Sequence, residues 1–188
     1  GHSLSGFFDN NEEKPEILFH DDQPNLNVTG FDNLDSIEQI TAKEGSTIDS
    51  RGATDKTNID LSKGLFSTNF AQHKINSFVK GFTNVIGSRF NDILKGDHND
   101  NNLLGQSGDD VLKGEGGDDI LVGGRGDDKL VGGSGKDTAQ FSGDSNNYSV
   151  KRIENGWEVK DNRITTESDG FDTLESIEVL QFKDKNIT

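Results

Sequence analysis

The sequence predicts an all-β chain whose central part winds as a parallel solenoid with 18 residues per coil. Three observations predict it: a nine-residue repeat, glycines fixed at two places in that repeat, and one apolar position per unit in a chain that is only 29% hydrophobic. Of the 188 residues, 34 are Asp or Glu and 19 are Lys or Arg, a net charge of −15. Low apolar content with high net charge describes a chain that cannot offset its conformational entropy by burial alone. Folding therefore needs help from outside the polypeptide. The charge repels phosphate backbones and anionic lipid surfaces and attracts cations, which argues against nucleic acid as a partner. No run of 18 apolar residues is present, so no membrane span is expected. Gly1 to Asn11 lacks the basic and apolar regions of a secretory leader. With no Cys there is neither a disulfide nor thiolate chemistry, and the absence of any Met marks the chain as a piece of a longer protein.

From Gly87 the chain reads GSRFNDILK, GDHNDNNLL, GQSGDDVLK, GEGGDDILV, GGRGDDKLV and GGSGKDTAQ without a gap to Gln140. Position 1 is Gly in every unit (Gly87, Gly96, Gly105, Gly114, Gly123, Gly132), and position 4 is Gly in the last four (Gly108, Gly117, Gly126, Gly135). Position 6 is Asp92, Asn101, Asp110, Asp119, Asp128 and Asp137; position 8 is Leu94, Leu103, Leu112, Leu121, Leu130 and then Ala139. Glycines at positions 1 and 4 let the backbone take positive φ, so the first six residues can form a tight turn. The last three form a short strand in which only position 8 points inward. Two units close one coil, and coils stack at the ~4.8 Å strand spacing. Turns two units apart then lie above one another, which stacks Asp92, Asp110 and Asp128 on one edge and Asn101, Asp119 and Asp137 on the other. Carboxylates so close repel unless a counter-ion lies between them. Hard carboxylate and carbonyl oxygens select calcium over zinc or copper.

The flanks obey the same logic. Ser46 to Ser50 and Thr57 to Ser62 alternate apolar and polar residues as strands do, and Val85 falls at position 8 of a degenerate unit preceding the first full one. Downstream, Tyr148 to Lys151 and Gly156 to Lys160 read as a hairpin around Glu154-Asn155-Gly156, where Asn-Gly is a strong turn signal. Phe141, Tyr148, Val150, Trp157, Val159, Leu174, Ile177, Val179, Leu180 and Phe182 supply an apolar face to cover the last coil, where position 8 has shrunk to Ala139. Gly30-Phe31-Asp32-Asn33-Leu34-Asp35-Ser36-Ile37-Glu38 recurs as Gly170-Phe171-Asp172-Thr173-Leu174-Glu175-Ser176-Ile177-Glu178, two copies of an element that packs at a β edge.

The pattern G-G-x-G-x-D-x-L-x resembles the repeats-in-toxin, or haemolysin-type, calcium-binding nonapeptide of secreted bacterial proteins. The resemblance implies a right-handed parallel β-roll, with each calcium between two stacked turns and both turns giving their position-6 side chain. It further implies carbonyl ligands from positions 2 and 4 of one turn and 1 and 3 of the other. Carried onto this chain, the former are Ser88, Phe90, Asp97, Asn99, Gln106, Gly108, Glu115 and Gly117, with Gly124, Gly126, Gly133 and Gly135 equivalent in the last units. The latter are Gly105, Ser107, Gly114, Gly116, Gly123, Arg125, Gly132 and Ser134. Pairing alternate units gives four calcium ions, of which the last two fit the pattern best. Asp92 comes after Phe90 where the family has Gly, and Asn101 lacks the charge, with Asp97 and Asp100 near enough to replace it. The expected division is a polar leader over 1–29, degenerate coils over 30–86, the six calcium-binding repeats over 87–143 and a C-terminal β cap over 144–188.

Other chemistry fits less well. Asp97 to Asn101 imitates an EF-hand loop, but Asn102 stands where Gly is needed and Gly108 where a bidentate Glu is needed. Gly132 to Lys136 imitates a phosphate loop with Leu130 in the place of its first Gly. No H-E-x-x-H or G-x-S-x-G occurs, and adjacent aspartates in a turn do not converge on one substrate. The expectation is a calcium-binding module without catalytic residues, exported by a type I route and folding on calcium outside the cell. Its partners are calcium and the catalytic or adhesive domains of its parent protein. The alternative readings are a calcium-dependent adhesion domain for an extracellular polysaccharide or cell surface, or the accessory tail of a secreted protease, lipase, lyase or epimerase.

Overall fold

The computed structural model describes residues 16–18, 25–27, 39–70 and 73–188. Beyond two short strands, the leader lies outside the described residues, and so does the first copy of the repeated element, Gly30 to Glu38. The described chain is all-β with no α-helix among the described residues, and its seventeen strands share one hydrogen-bonded network.

The nine-residue period becomes two parallel ladders. One runs through β3 (Gln39–Asp49), β6 (His73–Ile86), β8 (Asn102–Ser107), β10 (Ile120–Arg125), β12 (Thr138–Gln140) and β16 (Val179–Gln181). Its facing residues are Ile48, Val85, Leu103, Leu121, Ala139 and Leu180. The other runs through β4 (Asn58–Asp60), β7 (Ile93–Lys95), β9 (Val111–Gly116), β11 (Lys129–Ser134) and β15 (Phe171–Glu175), with Ile59, Leu94, Leu112, Leu130 and Leu174 facing. Within the repeats each step of a ladder is two nonapeptide units, as Leu112 opposite Leu94 and Leu121 opposite Leu103 show. All eleven facing residues are buried, but β8 to β11 are six residues long rather than three. Each runs on through positions 1 to 3 of the next unit, and its position-1 glycine is buried along with position 8. Val85 takes its place in the first ladder, as its position in the preceding degenerate unit predicts.

The regular winding is interrupted on both sides. Upstream, β5 (Leu65–Phe70) inserts as an antiparallel strand between β4 and β6, and the β3–β6 pairing shifts register between Thr41 and Thr47. β1 (Glu16–Leu18) and β2 (Asn25–Asn27) both lie parallel to β3. Downstream, β13 (Tyr148–Ile153) and β14 (Gly156–Asp161) form the expected hairpin, with the turn at Glu154 and Asn155. β14 pairs antiparallel with β15, and β17 (Asn186–Ile187) with β16.

The tail does more than lie over the last coil: β15 and β16 continue both ladders in the parallel sense, one strand each. Around them Phe141 stacks on Phe182 at 5.0 Å between centroids, and Tyr148 tilts against both rings. Trp157 is buried opposite Leu174 and donates its indole N–H to the Ile177 carbonyl at 3.2 Å. A column one side chain wide leaves no neighbour to fill a gap. We therefore expect Leu112→Ala to cost about 2–5 kcal/mol, and exposed Lys113→Ala to stay within about 0.5 kcal/mol, in urea unfolding at saturating calcium.

Candidate metal centre

The turns between ladder strands place the position-6 side chains inward. Asp92, Asn101, Asp110, Asp119, Asp128 and Asp137 are each at most 2% exposed. In each column one oxygen accepts the backbone N–H of the position-6 residue one coil earlier. Asp110 Oδ1 takes the Asp92 N–H at 2.7 Å and Asp128 Oδ1 the Asp110 N–H at 2.8 Å. On the other edge Asp119 Oδ1 takes the Asn101 N–H at 2.8 Å and Asp137 Oδ1 the Asp119 N–H at 2.9 Å. The second oxygen, Oδ2, of Asp110, Asp119, Asp128 and Asp137 is buried without a hydrogen-bond partner. A buried carboxylate oxygen left unbonded costs several times what an ordinary hydrogen bond contributes.

Asp92 and Asn101 differ. Asp92 accepts from the Ser88 N–H at 2.5 Å, the Ser88 hydroxyl at 2.8 Å and the Thr57 N–H at 2.6 Å. Asn101 accepts the Asp97 N–H at 2.8 Å and donates to the Thr83 carbonyl at 3.1 Å. The position-6 groups of the first two turns are thus satisfied within their turns and by Thr57 and Thr83 of the preceding coil.

The glycines divide the work differently from the sequence reading. Positive φ falls at positions 2 and 4: Gln106 (+88°), Glu115 (+79°), Gly124 (+109°) and Gly133 (+117°), then Gly108, Gly117, Gly126 and Gly135. Position 1 does not take it. Glycine is needed there for space, because a Cβ on Gly105 or Gly114 would run into Oδ2 of Asp110 or Asp119 and into the Gly123 or Gly132 carbonyl of the next coil. The same crowding puts the free oxygens of Asp110 and Asp119 beside the Gly123 and Gly132 carbonyls of the next coil. Carbonyls of Gln106, Gly108, Glu115 and Gly117 likewise face Gly124, Gly126, Gly133 and Gly135. The position-3 carbonyls of Arg125 and Ser134 instead accept the Gly108 and Gly117 N–H groups at 2.9 and 3.1 Å.

Sequence reasoning passes over position 5. Asn91, Asp100, Asp109, Asp118 and Asp127 form a second stacked set running the other way: Asp109 N–H donates to Asn91, Asp127 N–H to Asp109, Asp118 N–H to Asp100 and Lys136 N–H to Asp118, all at 2.8–3.0 Å. Its signal is present, since position 5 is Asn or Asp in five of six units. Beyond the repeats, Asp172 is 2% exposed and accepts the Asp128 N–H at 2.9 Å. Gly170-Phe171-Asp172-Thr173-Leu174 reads as positions 4 to 8 of a unit.

Burial pushes the position-6 carboxyls up, with neighbouring carboxylates adding to it: Asp110 to about 8, Asp128 to about 7 and Asp119 to about 6. Asp92 and Asp137 are raised for the same first reason, and Asp172 is raised to about 9. Each raised value means that the fold holds a proton which an unfolded carboxyl, with its ordinary value near 3.9, has released. Without a cation, that support is full below about pH 4 and is lost as pH rises through about 6 to 9. The β circular-dichroism signal of the chelated chain should therefore be stronger near pH 5 than at pH 8, and saturating calcium should abolish the difference. A chelated signal that grows toward pH 8 would contradict this.

Among the described residues no three His, Asp or Glu side chains converge as a metal cluster. Between stacked turns the available donors are position-6 carboxylates and backbone carbonyls, an all-oxygen set of the kind that suits calcium. No curated protein matches the chain. The family model for the RTX calcium-binding nonapeptide repeat (4 copies) matches residues 81–112 and 104–139. The segment 81–139 is thus a run of RTX nonapeptide repeats, and calcium is the cation that such repeats bind.

Proposed function

We propose that this chain is a calcium-triggered folding module, and that the four unpartnered Oδ2 atoms of Asp110, Asp119, Asp128 and Asp137 mark where its ions bind. Ions lie between Asp110 and Asp128 and between Asp119 and Asp137, with carbonyls of the facing turns completing each shell. Repeats of this family are typical of secreted bacterial proteins, and type I export in an open, calcium-poor state fits the switch. The repeats over 87–143 act with the strands upstream, and the tail over 144–188 caps them. The module works beside a catalytic or adhesive domain of a longer parent, itself contributing structure.

The energetics favour a switch. With a Kd of about 0.1–1 mM, usual for extracellular calcium modules, calcium at about ten times Kd contributes ~1.4 kcal/mol per site. Four sites give about 5–6 kcal/mol, comparable to the whole stability of a small domain. Circular dichroism titrated with calcium should show β structure appearing between chelator and about 10 mM calcium. Emission from Trp157, the only Trp, should shift blue in step as its ring is buried. A full β signal in excess chelator would sink the proposal, and an equal response to magnesium would exclude a site sized for calcium.

The sites should also rank by their free oxygens. Asp119→Ala removes a free buried oxygen from a turn stacked on both sides, whereas Asp92 has its oxygens bonded to Ser88 and Thr57. Calorimetry should show the larger loss of calcium affinity for Asp119→Ala, and equal losses would mean that the pairing of turns is different.

A further inference from the structure

Two of the four free oxygens look beyond the last nonapeptide. Those of Asp110 and Asp119 meet Gly123 and Gly132 carbonyls of the next coil of repeats, but no further repeat covers the turns of Asp128 and Asp137. The tail covers them instead, and it repeats part of the nonapeptide's hydrogen bonding in each column, through a turn three residues shorter in the second.

In the first column, Leu174 stands opposite Leu130, which places Asp172 above Asp128 at position 6. Asp172 Oδ1 accepts the Asp128 N–H at 2.9 Å, as Asp128 Oδ1 accepts the Asp110 N–H at 2.8 Å. Phe171 N–H donates to Asp127 Oδ1 at 2.8 Å, the position-5 bond that Asp127 N–H makes to Asp109 at 3.0 Å. Gly170, at φ +85°, covers the Gly126 carbonyl as Gly126 covers that of Gly108.

In the second column, Leu180 stands opposite Ala139 and a Glu178 carboxylate oxygen accepts the Asp137 N–H at 2.8 Å. Glu replaces Asp, and Ser176, above Gly132, takes a positive φ (+51°) that the position-1 glycines do not, as the shortened turn requires. The Ser176 carbonyl and Asp137 Oδ2 crowd the Gly132 α-carbon together, as the Gly132 carbonyl and Asp119 Oδ2 crowd Gly114. Asp137 is fully buried and its Oδ2 is unpartnered.

We infer that the tail carries two calcium sites of its own, one between Asp128 and Asp172 and one between Asp137, the Ser176 carbonyl and Glu178. The inference rests on the calcium reading above and relocates half of the ions: the pairs Asp92 with Asp110 and Asn101 with Asp119 give way to these two. Each new ion joins residues 44 or 41 positions apart in sequence. It therefore staples the tail to the repeats, so the last two ions bind only once the tail has docked.

Calcium isotherms of the full chain test this by counting ions. Asp172→Asn and Glu178→Gln keep the shape and the apolar cap but remove the charge, and each should bind one ion fewer than the parent chain. Asp92→Asn should bind as many as the parent. If Asp172→Asn fails to fold in saturating calcium, Glu178→Gln decides, because its side chain is exposed at the end of the ladder. An unchanged count in folded Glu178→Gln, or a lost ion in Asp92→Asn, overturns the inference while leaving a calcium module intact. A parent chain that binds no calcium overturns the proposed function itself. As a second readout, terbium luminescence excited through Trp157, opposite Leu174, should fall in Asp172→Asn and be unchanged in Asp92→Asn.

Discussion

Everything in this fold depends on carboxylates being stacked at the strand spacing. Two unit charges about 4.8 Å apart repel by roughly 3–4 kcal/mol at an effective dielectric of 20. One buried Leu contributes about 1.5–3 kcal/mol. Each coil adds one carboxylate to a column for every Leu it adds to the ladder of that column, as Asp110 and Leu112 or Asp119 and Leu121 show. Repulsion thus matches or exceeds what the core gains, which is the physical ground for the proposal that a cation holds the turns closed. Burial raises Asp110, Asp119 and Asp128 first, and the neighbouring carboxylates add to that shift.

The backbone accommodates this by separating two tasks that both use glycine. Positions 2 and 4 turn carbonyls toward the next coil through left-handed torsions, at a cost of about 1–2 kcal/mol per non-glycine residue. Gln106 and Glu115 bear that cost, whereas Gly124 and Gly133 avoid it. Position 1 has ordinary torsions and needs glycine because a carboxylate and a carbonyl already fill the space a Cβ would take. At all three positions a Cβ would meet oxygens, carbonyls at positions 2 and 4 and a carboxylate with a carbonyl at position 1.

What the sequence reveals depends on which interactions are periodic. The ladder of Leu94, Leu112 and Leu130, the inward Asp column, the place of Val85 and the hairpin at Asn155-Gly156 all come from local period or turn chemistry. The antiparallel strand Leu65–Phe70 has no period and is not legible in the sequence. Nor is the satisfaction of Asp92, which needs Thr57, a residue 35 positions away whose approach depends on the fold. The role of position 1 is misread from sequence because a preference for glycine looks the same whether torsion or space requires it.

The tail shows how a repeat can resume after an interruption. Between Gln140 and Phe171 the chain makes a hairpin and a network in which Arg163 bridges Asp161 and Asp169, and Asp169 accepts from the Ser142 and Tyr148 hydroxyls. Closing a loop costs only logarithmically more as it lengthens, so about thirty inserted residues hardly penalise a return to register. The rigid network then fixes the turn 169–172 over Asp128 as closely as chain continuity fixes the others. A search for uninterrupted period stops at Gln140. Yet the ladder is defined by which strand meets which, and Leu174 meets Leu130 as squarely as Leu130 meets Leu112. The register therefore ends where the last carboxylate accepts the last position-6 N–H, at Asp172 on one edge and Glu178 on the other.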